Sequence, residues 1–317
     1  MSENISPKIL EQVRKLEEKY EAMGQDLSSY LDGLLHADYL TYWDYIHLDT
    51  LLSLQNPKTQ FPDEQVFIIY HQITELYFKL ILHEIYQTTE DPVDEKTFLK
   101  RLNRINRYFE HLVDSFNVMT DGMDQHQFLS FRMSLLPASG FQSGQYRMIE
   151  ILCTDMINLT KYPEGQSIVD NDIEAHYDKI YWKMGATELA TGKKTLTLRQ
   201  FEEKYSEEFV KLGKKHRNNN IWKLYQAHYQ TSDSGKIREA MRLLDALANV
   251  FWPLAHYKSA VRYLQRDPED IAASGGTNWQ KYLPPRFQRV IFYPSLWSER
   301  EISEWGKGLV MKEIFGQ

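Results

Sequence analysis

An all-α fold is the class this sequence predicts, and three observations predict it. Apolar residues recur at three- and four-residue steps in most segments. Only 15 Gly and 11 Pro punctuate 317 residues. A β-like run appears only once, at Val290, Ile291, Phe292 and Tyr293. With no internal repeat, low-complexity tract or linker-like boundary, a single domain over 1–317 is expected.

The first predicted element is an amphipathic surface helix, in which Ile9, Val13, Leu16 and Tyr20 recur among Glu, Lys and Arg. A second helix is predicted from Tyr39 to Leu54, with Tyr42, Tyr45, Leu48, Leu51 and Leu52 on one side. Asn56-Pro57 and Phe61-Pro62 end it, and Asp63 caps the next helix. From Glu64 to Gln87 apolar residues spread around most of the circumference, which marks a central, buried helix. Further helices are predicted over 95–118, 124–136 and 142–159, the last two separated by the turn Pro137-Ala138-Ser139-Gly140. Residues 171–209 read as polar and mixed, with a break at Gly192. Isolated helices come next, then a strongly periodic stretch over 234–264. Asp267 to Pro285, with its Gly275-Gly276 and Pro284-Pro285, reads as a long functional loop. The tail holds the β-like run and a final helix.

Composition excludes several classes. Lys plus Arg is 37 against 44 for Asp plus Glu, a net charge of -7, so the basic face that displaces counterions from nucleic acid is not expected. A single cysteine, Cys153, cannot build an intrachain disulfide, a thiolate zinc site or a cysteine-ligated iron–sulfur cluster. No run of about 18 apolar residues reads as membrane-spanning, and residues 1–25 lack the apolar core of a secretory signal. A cytoplasmic protein, with neither membrane nor nucleic acid as partner, is the expectation.

Familiar catalytic signatures are missing too: no His-Glu-x-x-His, Glu-x-x-His, GxGxxG, Walker loop or Gly-x-Ser-x-Gly occurs. A helical enzyme without them most often borrows its chemistry from a cofactor. Of ten histidines, His83, His111, His176 and His216 read as surface or half-buried. His71 lies mid-way along the most apolar helix, and His256 lies in Phe251-Trp252-Pro253-Leu254-Ala255-His256. Each could be a core histidine satisfied by hydrogen bonds. A neutral imidazole in an apolar wall is equally what a haem iron needs as axial ligand. Arg132 comes after Phe128 and Phe131; it either snorkels off an aromatic face or aims a guanidinium at a carboxylate.

Three blocks in order then resemble one family. Tyr42-Trp-Asp-Tyr-Ile-His-Leu-Asp-Thr-Leu-Leu-Ser-Leu-Gln55 is similar to the N-terminal signature of the tryptophan 2,3-dioxygenases. Asp63-Glu64, Phe67-Ile-Ile-Tyr-His71-Gln72 and Glu75-Leu76 resemble that family's central haem-pocket helix. Phe131-Arg132, Ser139-Gly140-Phe141-Gln142-Ser143 and Gln145-Tyr146-Arg147 to Glu150 resemble its third block. In the second half, Trp252-x-x-x-His256 with Arg262 is similar to the proximal segment. Tyr77 stands where tryptophan is usual, Gly144 where leucine is usual and Val261 where glutamate is usual, and the glycine-rich loop is reduced to Ser274-Gly275-Gly276-Thr277.

The resemblance implies a helical bundle around a non-covalent haem b, Fe(II) in the active form, in a homotetramer. His256 would be the axial iron ligand and His71 the distal histidine bonded to the indole N–H. Phe67 would pack on the indole; Arg132, with Phe128 beside it, would bind the carboxylate. Ser274 or Thr277 would contact the amino-acid head group. Tyr42 and Tyr45 would complete the pocket, with residues 1–60 reaching a neighbouring subunit and 265–286 acting as a mobile active-site loop. The implied reaction joins L-tryptophan and O2 to give N-formyl-L-kynurenine. Alternatives are a haem-dependent mono-oxygenase of tryptophan or a related aromatic amino acid, and a non-catalytic haem-binding protein.

Overall fold

A computed structural model describes residues 5–37, 41–90, 93–132, 142–161, 172–186, 193–231, 235–264 and 289–306. Helices account for the regular structure among them, with no strand among the described residues and an isolated antiparallel bridge from Thr160 to Ile180. The chain forms two compact units, Met1–Asn56 and Pro57–Gln317.

In the first unit, Ser6 opens α1 (Pro7–Ala22) by accepting from the Ile9 N–H, with Pro7 in the first turn where its missing donor costs nothing. Asp26 caps α2 (Leu27–Leu35), a helix the apolar spacing did not flag. The helix expected over 39–54 is two short pieces, α3 (Tyr42–Tyr45) and α4 (Leu48–Leu52). His47 breaks it: its φ of 51° is left-handed, a conformation no α-helix continues through. No described residue of this unit is buried.

The second unit is built around α5 (Asp63–Thr89) and α6 (Glu95–Ser115). Asp63 is the first residue of α5 rather than its cap, which falls on Pro62. Phe98, Leu102, Ile105, Phe109 and Leu112 recur on α6 at steps of four and three and are all buried. Each stabilises the pairing by about 1.5–3 kcal/mol. Against them α5 sets Tyr70, Phe78, Ile81 and Ile85. The expectation that α5 is buried nearly all round is corrected: Ile69, Ile73, Leu76 and Leu80 are 39–49% exposed along one stripe. After α6 come α7 (Asn117–Thr120) and α8 (Gln125–Arg132). The expected turn at Pro137 to Gly140 lies outside the described residues.

Helix α9 (Gly144–Cys153) packs on α5. It stops short of the expected residue 159 because Thr154 is extended; a 3-10 turn covers Met156–Leu159. On α9, Arg147 and Glu150 are buried and paired at 2.6 Å, and the Tyr181 hydroxyl donates to Glu150 while accepting from Arg147. Tyr181 opens α11 (Tyr181–Gly185), which comes after α10 (Ile173–Asp178).

The stretch read as polar and mixed holds one of the longest helices, α12 (Leu196–His216). Its Leu198, Phe201 and Phe209 are buried beneath a charged outer face, and the many Glu and Lys of that face hide the apolar stripe. His176 and His216, read as surface or half-buried, are both buried. After α13 (Ile221–Leu224) a π-helical turn runs over Tyr225–Tyr229.

The periodic stretch over 234–264 is α14 (Lys236–Ala246), a π-helical turn (Leu247–Phe251) and α15 (Trp252–Leu264). Asp245 near the end of α14 receives the β-like run, which forms no strand. Its buried carboxylate accepts from the Phe292 and Tyr293 backbone N–H, from Trp297 Nε1 and from Asn249 Nδ2. Burial nevertheless pushes its pKa up to about 6. Helix α16 (Glu299–Ser303) comes last among the described elements, opened by a Ser298–Glu301 capping box.

Candidate active site

Two imidazoles on α5 and α15 define the site. His71 Nδ1 lies 2.8 Å from the Phe67 carbonyl and His256 Nδ1 lies 3.0 Å from the Trp252 carbonyl, in both cases four residues back. A carbonyl can only accept, so each Nδ1 carries the proton and each Nε2 is left with its lone pair. Neither Nε2 has a hydrogen bond to a described residue.

Desolvation dominates both rings. It lowers the His256 pKa to about 4, outweighing the Trp252 carbonyl, and the nearby His71 lowers it further. His71 is lowered by the same cause against the opposing pull of the Phe67 carbonyl and Glu75. His256 is half-buried and His71 is solvent-accessible, yet both rings are desolvated. Both are neutral at physiological pH, and a proton on His71 would further disfavour one on His256.

Aromatic rings wall each imidazole. On the His256 side, Phe116 and Trp252 each stand 4.4 Å from its ring centroid. On the His71 side, Phe67 stacks at 4.0 Å and 29°. Phe67 also meets Phe131 at 5.8 Å and Phe128 at 6.5 Å, and Phe128 meets Tyr263 of α15 at 4.7 Å. Such contacts add about 0.5–1.5 kcal/mol each beyond their buried area and hold α5, α8 and α15 together.

Arg132 ends α8 one turn after Phe128. It is half-buried and without a carboxylate partner among the described residues, and desolvation lowers its pKa. A guanidinium in that state favours a planar anion brought from outside, to which it can donate two parallel hydrogen bonds.

The structure thus sets His71 and Phe128 each against Phe67, with Arg132 on the same short helix as Phe128 and His71 among the groups that act electrostatically on His256. Tyr42 and Tyr45 lie on α3 of the first unit, 71% and 69% exposed. Ser274, Thr277 and the segment 265–286 lie outside the described residues. Phe116 and Tyr263 were missed in the sequence. Phe116 sits beyond the last periodic position of α6, and Tyr263 is one of 20 tyrosines with no local cue.

Among the described residues, no three His, Cys, Asp or Glu side chains gather where they could hold a bare metal ion. A single neutral imidazole with an outward lone pair does fit a metal that arrives with its own equatorial ligands. An aromatic, largely apolar wall suits the flat ring that would carry them.

Comparison with known proteins adds the last finding. The family model described as "Tryptophan 2,3-dioxygenase" matches residues 33–263. A tryptophan 2,3-dioxygenase of a Ruegeria species is 30% identical over 280 residues, covering 83% of this chain and 93% of that protein. One from Bacillus cereus is 29% identical over 286 residues, covering 84% and 95%. One from Sorangium cellulosum is 40% identical over a shorter 125 residues, covering 36% and 30%.

Proposed function

The chain belongs to the tryptophan 2,3-dioxygenase family, and from that premise we propose that it is a haem-dependent dioxygenase converting L-tryptophan and O2 to N-formyl-L-kynurenine. The observation that carries this beyond family membership is the pair of matched imidazoles. Both have Nδ1 tied to a backbone carbonyl, both are neutral, and they lie on separate helices walled by aromatic rings.

In this account His256 Nε2 would hold the iron of haem b, and Phe116 and Trp252 would flank it. Haem held there as Fe(II) would supply the redox chemistry by which dioxygen reacts with an indole. Everything else falls to side chains. His71 Nε2 accepts the indole N–H and so fixes which edge of the ring is presented. Phe67 packs on the indole face. Arg132 takes the substrate carboxylate, with Phe128 shielding that pair from water and so strengthening it. Ser274 or Thr277 contacts the amino-acid head group. Holding the substrate at three points turns a collision into an oriented encounter, which supplies much of the rate.

Self-association is part of the proposal. The exposed stripe Ile69, Ile73, Leu76 and Leu80 and a first unit with no described residue buried both suit burial by further copies, as in a homotetramer. Tyr42 and Tyr45 would then complete a neighbour's pocket, residues 1–60 reaching across from a domain that otherwise spans the chain. No described helix is long and apolar enough to cross a membrane, and a cytoplasmic location is proposed.

The test is direct. The purified protein is loaded with haem, reduced, and given L-tryptophan and O2. Formation of N-formylkynurenine is the expected result. A hydroxylated product would assign a mono-oxygenase instead, and a spectrum indifferent to tryptophan would remove the enzymatic assignment.

A further inference from the structure

Helices α5 and α8, which carry the candidate substrate contacts, share a residue spacing near their starts. On α5 the order is Asp63, Phe67, His71; on α8, counting the residue before it, it is Asp124, Phe128, Arg132, always four residues apart. Four residues is a little over one turn, so each trio runs along one side of its helix in steps of about 6 Å.

A reciprocal pair of hydrogen bonds ties the two starts. The Asp124 N–H donates to Asp63 Oδ2 at 2.6 Å, and the Asp63 N–H donates to Gln127 Oε1 at 3.2 Å. Asp124 Oδ1 closes the knot by accepting from the Gln127 N–H at 2.9 Å. One turn on, Phe67 touches Phe128 and Phe131. Had the helices run in opposite senses from the knot, Phe67 and Phe131 would be separated by about 16 Å along the axes. They therefore advance together, and the third members, His71 and Arg132, lie two turns from a common origin. Helix α8 has 8 residues, of which only Phe131 is buried, so apolar packing alone sets its register weakly.

We propose that Asp63 is a positioning residue: through Asp124 and Gln127 it fixes the register of α8 on α5, and so the spacing between the groups facing the substrate ring (Phe67, His71) and the guanidinium facing its carboxylate (Arg132). The inference rests on the roles given to those residues above. A ligand gripped at both ends feels an error of register as the loss of one grip; a ligand gripped at one end does not.

The test compares L-tryptophan with tryptamine, which lacks the carboxylate, by calorimetric titration of the haem-loaded full chain. Asp63→Ala is expected to weaken L-tryptophan binding about tenfold and tryptamine binding less than about twofold. Asp63→Asn keeps an acceptor oxygen for the Asp124 N–H and is expected to restore most of the loss. In an Arg132→Ala background, Asp63→Ala is expected to add nothing. Should Asp63→Ala fail to fold, Gln127→Ala removes the other half of the knot and is expected to give the same selective loss. Equal weakening of both ligands, or an effect that adds to Arg132→Ala, would overturn the inference while leaving the proposed function standing. A wild-type protein that binds neither ligand would overturn both.

Discussion

Gly144→Ala isolates one departure from the family pattern and predicts its cost. A methyl group built there falls 2.8, 2.9 and 3.3 Å from three ring atoms of Tyr205. Ordinary carbon contacts lie near 3.5–4.0 Å, so the ring must retreat by roughly 0.7 Å. It has little room to do so. Tyr205 stacks on Phe209 at 5.5 Å and 8°, and Phe201 stands 4.9 Å away. Overpacking of this kind costs about 1–3 kcal/mol, offset by about 0.4–1 kcal/mol from the stiffer unfolded chain. The expected outcome is a net loss of about 0.5–2 kcal/mol, or a fall in melting temperature of about 2–6 °C by thermal denaturation. Gly213→Ala is the control. Its methyl meets the flexible end of Met156 at 2.8 Å and Ile173 Cγ2 at 3.0 Å, and inside a helix it gains about 1 kcal/mol of propensity, so little net change is expected. In a Tyr205→Ala background, Gly144→Ala should be neutral or mildly stabilising. An undiminished loss there would show that Tyr205 is not the obstacle, and the account would fail.

Other outcomes concern the site and the pH response. His256→Ala should purify nearly free of haem, read from its absorbance, whereas His71→Ala should retain haem; the reverse pattern would exchange the two faces. Arg132→Ala should keep haem and weaken L-tryptophan binding about 10- to 100-fold, the worth of a charge-assisted bidentate pair at about 1.5–3 kcal/mol; unchanged affinity would cancel its assignment. Asp245 has a folded pKa of about 6 against an ordinary 3.8, so the folded state binds its proton more tightly. Its stabilising contribution is therefore full below about 3.8 and lost as pH rises through about 6. Denaturant titrations across that window should show Asp245→Asn flattening this slope, together with a loss of about 1–3 kcal/mol because an amide nitrogen would face N–H donors. A slope unchanged in the variant would assign it to other groups.

How much of the molecule was legible in its sequence depended on how strongly each signal is written locally. Helices α5 and α6 were readable because their apolar steps are set by burial against one another, and His71, His256 and Arg132 stood out because each interrupts an aromatic or apolar run. The break at His47 was not readable: a left-handed residue there has no glycine or asparagine to announce it. Helix α12 was hidden by its charged face, and the burial of His176 and His216 by charged sequence neighbours that point elsewhere. The knot at Asp63 joins residues 61 apart, and no local pattern reports a contact at that distance. Phe116 reaches His256 only through the packing of α15 on α6 and α7.

The wide turn at Leu247–Phe251 has an evolutionary corollary. Eleven residues of regular α-helix make about three turns, which would put Asp245 and His256 on one side of the rod. A π-turn amounts to one inserted residue, which rotates everything beyond it by roughly 100°. One nearly continuous rod can therefore grip the C-terminal segment on one flank and present an imidazole on another. Straightening that turn with all its residues kept would bring the two duties onto one flank and into conflict, whereas losing the inserted residue leaves ten residues of regular helix, roughly 1,000° of rotation, and keeps them apart, so the span tolerates a one-residue deletion better than a regularised turn.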